Sequence, residues 1–300
     1  MELRRSSRLT DVLAALGVFT GVPPSPPPRG RFARPVAGDD VTAALAVLGP
    51  SARARVLDPL SRDREPPVPG RPRLLRLPSW TGTGPVARQD DERTCGAAVL
   101  ALLRLAGDPR ASLRLARAPE GPQEAFRSMQ RATHVRATRG LGGLPVWPRS
   151  LGTPPWGAAA VARYGPVRYG HRVVGGRTRP RVLAAAVAAA AAGVPVPLYT
   201  GGDLAGGPST AVPRHVVLLT AVRDGLAMLY EPSSGGLHAV PARALGAPPA
   251  APDERAALRA ALGGWPHVVW ALLPRDARGR WRVSRRSALS GPPGAQSGAA

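Results

Sequence analysis

The sequence predicts an α+β domain in which helices come first and an antiparallel β-sheet follows. Two observations support this fold class. Before Gly193 the apolar residues fall in alanine- and leucine-rich runs that are typical of helices, and after it they fall in β-branched runs that are typical of strands. The turn sequence Asp224-Gly225 separates two of these later runs, which is the pattern of an antiparallel hairpin. Helices followed by strands favour segregated α and β parts.

The chain divides into three parts by composition. Residues 1–78 form an Arg/Pro-rich accessory region, with an extended stretch at Pro23–Pro28, short helices expected at Val41–Leu48 and Ser51–Leu57, and a linker at Arg62–Arg76. Residues 79–283 form the main domain. Residues 284–300 are rich in Ser, Gly and Pro, and we expect this tail to be disordered.

Helices in the main domain are bounded by the usual start and stop residues. The first runs over Cys95–Leu105 and ends before Gly107-Asp108-Pro109, and an alanine-rich helix at Pro180–Ala192 ends at Gly193. Shorter helical segments are expected at Glu124–Thr133 and Gly157–Tyr164.

Four strands are expected after Gly193. Val194–Tyr199 contains two prolines, which favours the edge of a sheet. His215–Val222 is a β-branched run typical of a buried strand, and Leu226–Tyr230 follows the Asp224-Gly225 turn as its antiparallel partner. The last strand is His267–Leu273.

The net charge is +22 over 300 residues, and the charge comes from arginine because the chain contains no Lys, Asn or Ile. Codons of those three amino acids are rich in A and U, so their absence indicates a GC-rich genome. Part of the positive net charge therefore reflects a mutational bias toward arginine codons. A basic chain favours contact with anionic surfaces. Aromatic residues make up only 4% of the chain, too few for base-stacking platforms, so no specific nucleic-acid partner is expected.

Composition also limits the compartment and the cofactors. No apolar run reaches the ~20 residues that a membrane-spanning helix needs. Arg4-Arg5 and the apolar residues after them resemble a signal peptide, but Asp11 borders the stretch and no convincing cleavage site follows, so we expect a cytoplasmic protein and leave export as the alternative. No His/Asp/Glu grouping has metal-ligand spacing, and we expect neither a metal nor a cofactor.

Cys95 is the single cysteine of the chain, so it has no partner for an internal disulfide. A thiol becomes a nucleophile when it loses its proton, and the start of a helix favours the anion because its backbone N–H groups are unpaired. Gln89 lies six positions earlier and can direct its side-chain NH₂ at an oxyanion together with the Cys95 amide, while Gly96 lets a substrate approach closely.

A base for Cys95 is predicted on the hairpin. His215 begins the most convincing strand and Glu231 ends the next, so a hairpin turning at Asp224-Gly225 brings the two residues together. We expect Glu231 to accept a hydrogen bond from Nδ1 of His215 and to orient the ring. Among the other histidines, His238 is a second candidate for the site.

Each of these residues also has a structural interpretation. A lone cysteine such as Cys95 is often a small buried apolar residue. His215 is alternatively an edge histidine, and Glu231 a solvated carboxylate at a turn.

The pattern Gln89-x5-Cys95-Gly96, then His215-Val216-Val217, then Glu231-Pro232 resembles the papain-like cysteine peptidases. It is most similar to the branch of double-glycine leader peptidases of bacteriocin exporters and their stand-alone relatives. The resemblance covers residues 78–275. It implies a papain-like fold in which Gln89 is the oxyanion donor, Cys95 the nucleophile, His215 the general base and then acid, and Glu231 the orienting residue. The family has Asp or Asn in place of Glu231, whose side chain is longer by one methylene.

The function predicted from these residues is a cysteine peptidase that acts on a peptide or protein substrate through acyl transfer. Two alternatives keep the same fold. One is a catalytically weak or inactive papain-like binding module. The other is a cysteine-dependent acyltransferase, which passes the acyl group to an acceptor other than water.

Overall fold

The computed structural model describes residues 8–21, 37–139, 152–202, 213–247 and 249–275. Within these residues the chain forms nine α-helices and one eight-stranded antiparallel sheet, which agrees with the predicted α+β class. The predicted order of helices first and strands after Gly193 is wrong, because three of the strands precede Gly193 and the helix Pro252–Ala261 follows it. The predicted extended stretch Pro23–Pro28 and the tail 284–300 lie outside the described residues.

Prolines mark where most of the helices begin. Six helices carry Pro in their first turn, where the missing N–H costs nothing because it would have no intrahelical acceptor. Two short 3₁₀ turns lie at Gly176–Thr178 and Ala242–Leu245. The helices are α1 (Leu9–Ala15), α2 (Asp39–Ala46), α3 (Pro50–Leu57), α4 (Cys95–Gly107), α5 (Pro109–Ala116), α6 (Pro122–Thr138), α7 (Pro155–Val161), α8 (Arg179–Ala191) and α9 (Pro252–Ala261).

The sheet has the strand order β1-β7-β6-β5-β4-β8-β3-β2, and every neighbouring pair is antiparallel. The longest strands, β5 and β8, have nine residues each and lie near the centre. The strands are β1 (Arg73–Leu74), β2 (Arg163–Tyr164), β3 (Val167–Val173), β4 (Val196–Gly201), β5 (His215–Arg223), β6 (Leu226–Glu231), β7 (Gly236–Pro241) and β8 (His267–Arg275).

Helices cover both faces of the sheet. Val216 and Leu218 of β5 belong to the core that includes α4, while Val217 and Leu219 belong to the core that includes α8 and α9. Successive side chains of a strand point to opposite faces, so one strand serves both cores. This is why β5 has a continuous apolar sequence without polar alternation.

The expectation that Val194–Tyr199 forms an edge strand is wrong. The segment forms β4, which lies between β5 and β8, and all six of its residues are buried. Pro197 is the second residue of β4 and removes only one backbone N–H from the sheet. Burial of β4 on both faces outweighs the loss of that hydrogen bond.

The expectation of a linker at Arg62–Arg76 is also wrong, because this segment is part of the fold. It contributes β1, which pairs with β7, and Leu75 and Leu77 just beyond are fully buried in the same core as α4. These elements lie before the predicted boundary at residue 78. Arg73, one of the arginines that suggested a linker, lies on the edge strand of the sheet, where polar side chains are common.

Buried Arg62 joins this segment to the rest of the domain. Its Nε lies 3.2 Å from Oδ1 of Asp58, and its Nη1 donates to the hydroxyl of Tyr164 and to the carbonyl of Gly193, each at 3.0 Å. Asp58 in turn accepts from the amide of Asp63 at 2.9 Å. The buried charge is therefore paired and hydrogen-bonded, as burial of a guanidinium requires.

The described helices are each too short or too polar to cross a membrane.

The Asp58–Arg62 pair gives a stability prediction. Asp58→Ala should lower the free energy of unfolding by about 3 kcal/mol, because it leaves the Arg62 guanidinium buried without its carboxylate. The measurement is urea denaturation followed by circular dichroism. Asp39→Ala is the control, since Asp39 is exposed at the start of α2, and it should cost less than ~1 kcal/mol. Equal effects of the two substitutions would contradict the assignment.

Candidate active site

Cys95 is the first residue of α4, as predicted, and only 5% of its surface is exposed. The first intrahelical bond is donated by the amide of Ala98 to the carbonyl of Thr94, so the amides of residues 95–97 have no acceptor within the helix. Thr94 stabilises the turn that precedes the helix. Its hydroxyl donates to the carbonyl of Asp91 and accepts from the amide of Asp91. The thiol therefore lies where the helix N-terminus favours a negative charge.

A buried glutamine fixes the loop that carries Gln89. Gln130 of α6 is fully buried, accepts from the amide of Asp90 at 2.9 Å and donates to the carbonyl of Arg88 at 3.0 Å. Sequence reasoning missed this residue. A polar residue on the buried face of a helix was the available signal, because such a residue needs hydrogen-bond partners.

His215 is the first residue of β5, and its imidazole lies between Glu231 and Cys95. Nε2 of the ring is 2.8 Å from Oε1 of Glu231. The side chain of Cys95 interacts with the same residue and raises the pKa of His215. The expectation that Glu231 binds Nδ1 is wrong, because Glu231 binds Nε2. Glu231 extends from the neighbouring strand β6, and Nδ1 is the ring nitrogen that it leaves unused.

A β-bulge puts His215 and Glu231 on the same face of the sheet. The two-residue turn at Asp224-Gly225 pairs Arg223 with Leu226, and without interruption this register would place Glu231 opposite Leu218, on the other face from His215. Thr220 is an extra residue between the pairs Leu219–Leu229 and Ala221–Met228. Beyond it Tyr230 pairs with Leu218, so Glu231 falls opposite residue 217 and shares the face of His215.

Core membership confirms the change of face along β5. Leu218 and Ala221 both belong to the core on the α4 side, although they are three residues apart. Leu219 and Val222 lie against the core on the other side. Hairpin topology alone therefore predicts that His215 and Glu231 are near each other, but it does not predict their common face.

The turn after β6 surrounds the Glu231 carboxylate with donors. Oε1 accepts from the amide of Ser233 at 2.8 Å in addition to His215. Oε2 accepts from the amide of Ser234 at 2.8 Å and from its hydroxyl at 2.7 Å. The longer side chain of Glu, compared with Asp, lets the carboxylate fold back onto its own turn. The two serines were not identified from the sequence.

These contacts keep both groups charged. Burial would raise the pKa of Glu231, but the bonds from His215, Ser234 and Ser233 outweigh it and lower the pKa from 4.5 to about 2. Burial would lower the pKa of His215, but the bonds to Cys95 and Glu231 outweigh it and raise the pKa from 6.5 to about 9. At neutral pH the pair is therefore an imidazolium and a carboxylate.

Gln89 is attached to the same turn. Its amide donates to the carbonyl of Pro232 at 2.9 Å, and its side-chain Oε1 accepts from the hydroxyl of Ser233 at 3.2 Å. Using Oε1 for Ser233 points the NH₂ group of Gln89 away from that serine. Ser233 thus contacts both Gln89 and Glu231, and one turn positions both.

Two glycines allow the site to close tightly. A Cβ on Gly96 would lie 2.9 Å from Cβ of Thr153, so the segment before α7 packs directly against the residue after Cys95. A Cβ on Gly263 would lie 2.3 Å from Cδ2 of His215, so the residues just after α9 support the imidazole ring from behind. Sequence reasoning missed the role of Gly263, since the contact joins residues 48 positions apart.

The other histidines of the described chain have different surroundings. His238, the second candidate, lies on the strand β7. Burial lowers the pKa of His238, although the negative charge of Glu231 acts to raise it. His134 is buried on α6, with Nδ1 3.4 Å from the hydroxyl of Thr153. The ring of His171 packs against those of Phe19 and Trp270. Burial there lowers the pKa of His171 to about 4. In the described part of the chain no three His, Cys, Asp or Glu side chains are grouped to hold a metal ion.

Comparisons of the chain with protein-family models, with curated proteins and with solved structures gave no match.

Gly263 and its neighbour Gly264 provide a matched test of the support behind His215. Both have positive φ, +70° and +87°, so an alanine strains the backbone at either position, but only at Gly263 does the new Cβ meet the imidazole. Gly263→Ala should slow alkylation of Cys95 by iodoacetamide by about tenfold or more, because a displaced ring no longer activates the thiol.

Gly264→Ala is the control, and its alkylation rate should stay within about twofold of wild type. Mass spectrometry of the native protein measures both rates. If the two alanines slow alkylation equally, Gly263 has no specific role behind His215.

Proposed function

We propose that this protein is a cysteine peptidase of the papain-like type, and that it hydrolyses peptide bonds with Cys95 as nucleophile. The observation that carries the proposal is the bond of the His215 ring to the buried carboxylate of Glu231, on a histidine whose pKa the Cys95 side chain also raises. Nucleophile, base and orienting group in this order form the constellation of acyl-transfer enzymes.

In the first step the Cys95 thiolate attacks the carbonyl carbon of the substrate. The charged state of His215 supports this step, because an imidazolium bonded to the thiol stabilises the thiolate. Glu231 keeps the imidazolium charged and in place. The C–S bond forms as the carbonyl π electrons move to oxygen, which becomes an oxyanion.

The oxyanion needs donors at the start of α4. The backbone amide of Cys95 has no intrahelical acceptor, and Gln89 is fixed by Pro232 and Ser233 with its NH₂ directed away from that serine. We assign these two groups as the oxyanion donors. One such donor contributes ~2.7–4 kcal/mol in the transition state.

The tetrahedral intermediate then collapses. The C–N bond breaks, and His215 gives its proton to the leaving amine through Nδ1, which leaves a thioester on Cys95. A water molecule attacks the thioester while His215 takes a proton from it, and the acid is released with regeneration of the thiolate–imidazolium pair. The reaction uses no metal or cofactor in this scheme.

The architecture supports the papain-like assignment in outline. A helix that begins at the cysteine packs on one face of an antiparallel sheet, and the sheet carries the histidine and the acidic residue at adjacent strand ends. Cys95 has no disulfide partner, which suits a reducing compartment such as the cytoplasm.

A binding module is the second candidate, and the burial of Cys95 is the observation that favours it. With only 5% of its surface exposed, the thiol offers a narrow approach to a substrate. In that case the charged pair would stabilise the fold without catalysis. An acyltransferase differs only in the acceptor that attacks the thioester.

Selective labelling of Cys95 and peptide cleavage test the proposal together. Because Cys95 is the single cysteine, every alkylated molecule reports on this site. Wild-type protein should react with iodoacetamide faster than the urea-unfolded chain does and should cleave members of a peptide panel. Cys95→Ala should lose cleavage by about 10⁴-fold or more, because the nucleophile is absent.

The outcomes separate the three hypotheses. Rapid labelling with acyl transfer to an added amine, in preference to water, would indicate a transferase. Labelling no faster than in the unfolded chain, with no peptide cleaved, would contradict the peptidase and leave the binding module. Circular dichroism of Cys95→Ala controls for loss of the fold.

A further inference from the structure

A cluster of arginines lies at the β1 edge of the sheet. It comprises Arg55 at the end of α3, Arg64 and Arg73 around β1, Arg76 after β1, and Arg223 at the end of β5. We call these five residues the arginine strip. Arg64 is exposed and the other four are half-buried, so their charges are accessible to a ligand.

Backbone carbonyls hold the guanidinium groups of the strip. Arg55 donates to the carbonyl of Gly82 at 2.5 Å, Arg73 to that of Glu65 at 2.9 Å and Arg76 to that of Gly84 at 3.1 Å. Arg223 donates to the carbonyl of Arg64. A carbonyl is neutral and uses one or two of the five N–H donors of a guanidinium, so the positive charge and further donors stay available.

The charges of the strip repel one another. Burial lowers the pKa of Arg73, and the charges of Arg64 and Arg223 lower it further, while Glu65 opposes them. Burial also lowers the pKa of Arg55, and the charges of Arg64 and Arg76 lower it further. All five guanidinium groups are therefore within electrostatic range of a neighbour, with one carboxylate, Glu65, among them.

Two other sets of arginines in the described part of the chain are compensated by acids. Arg127 and Arg131 share Asp90 and Glu124, and Arg110 pairs with Asp40. No ion pair to a carboxylate occurs for the five residues of the strip among the described residues. Composition supplies many arginines, but it does not explain why these five are grouped and uncompensated.

We propose that the arginine strip binds an acidic segment of the peptide substrate of this enzyme. This inference rests on the proposed peptidase function and adds the substrate class. A carboxylate-rich peptide would relieve the mutual repulsion and would form bidentate contacts with the remaining N–H donors.

The strip is continuous with the catalytic turn. Arg76 forms a β-bridge with Val86, and two residues later Nε of Arg88 donates to the carbonyl of Ser234 at 2.9 Å. Ser234 holds the Glu231 carboxylate. A peptide that follows this edge of the sheet therefore reaches the site without crossing the core.

The surface beneath the strip favours a peptide over a nucleic acid. A shallow pocket between Arg64, Arg73 and Arg223 has an aliphatic floor that contains Leu60, Met228 and Leu237 and no aromatic side chain. Bases bind single-stranded sites by stacking on aromatic rings. Without an aromatic ring to stack a base, the strip recognises negative charge, which an acidic peptide supplies.

The test measures binding without turnover. Full-length Cys95→Ala protein is titrated into a fluorescein-labelled 12-residue peptide of Glu, Ala and Leu, its counterpart with every Glu replaced by Gln, and a single-stranded oligonucleotide of equal charge. Fluorescence anisotropy gives each Kd. The variant is Arg64→Gln/Arg73→Gln/Arg76→Gln, and the control is Arg177→Gln/Arg181→Gln/Arg255→Gln, which removes three charges from exposed arginines elsewhere.

We expect the Glu peptide to bind about tenfold more tightly than the Gln peptide, since each exposed ion pair contributes a small amount. The strip variant should lose about tenfold in affinity for the Glu peptide, and the control variant about twofold or less. Equal binding of the two peptides, equal effects of the two triple variants, or tighter binding of the oligonucleotide through the same arginines would each overturn the proposal.

A further variant and the inactive Cys95→Ala background keep the test interpretable. Arg64→Glu alone changes an exposed side chain and should weaken Glu-peptide binding even if the triple variant fails to fold; unchanged affinity would overturn the proposal. Binding is measured in a protein without its nucleophile, so it is independent of the peptidase activity. If the strip binds the Glu peptide but wild type cleaves nothing, the proposed function fails and the binding surface stands.

Discussion

The bond between His215 and the buried carboxylate of Glu231 is the interaction on which the site depends. Both residues are almost fully buried, and a buried charge is tolerated when its hydrogen bonds are satisfied. Glu231 receives donors from His215, Ser233 and Ser234, which offset the cost of burial. The carboxylate then holds the imidazole through Nε2 and leaves Nδ1 unused by Glu231, so the orientation of the ring follows from the geometry of one turn.

The same turn links parts of the chain that are distant in sequence. Gln89 is held by Pro232 and Ser233, and Gly235 allows the 86–87 segment to approach so closely that a Cβ there would lie 2.4 Å from Val86. The register that brings Glu231 to His215 is set by the bulge at Thr220, whose hydroxyl donates to the carbonyl of Met228 at 3.2 Å. A one-residue change in β5 would therefore move the carboxylate to the other face of the sheet.

Local patterns predict the parts of this protein that local physics determines. Cys95 at a helix start and His215 at a strand start follow from apolar periodicity and from stop signals, and the structure agrees with both. The central position of β4 and the burial of Leu75 and Leu77 could not be predicted in this way, because they depend on what the rest of the fold places against them. Likewise Gly263 supports His215 only through tertiary packing. The choice of Nε2 for Glu231 follows from the bulge and from the length of the Glu side chain.

His215 should be an imidazolium at neutral pH, because the side chains of Cys95 and Glu231 both raise the pKa of its ring. Proton–nitrogen NMR of the protein labelled at histidine, titrated from pH 5 to 11, measures this directly. We expect a protonated His215 at pH 7 that loses its proton near pH 9, and a lower pKa in Glu231→Gln, where the stabilising charge is absent. A neutral His215 ring at pH 7 in the wild-type protein would show that the two side chains do not keep the ring charged.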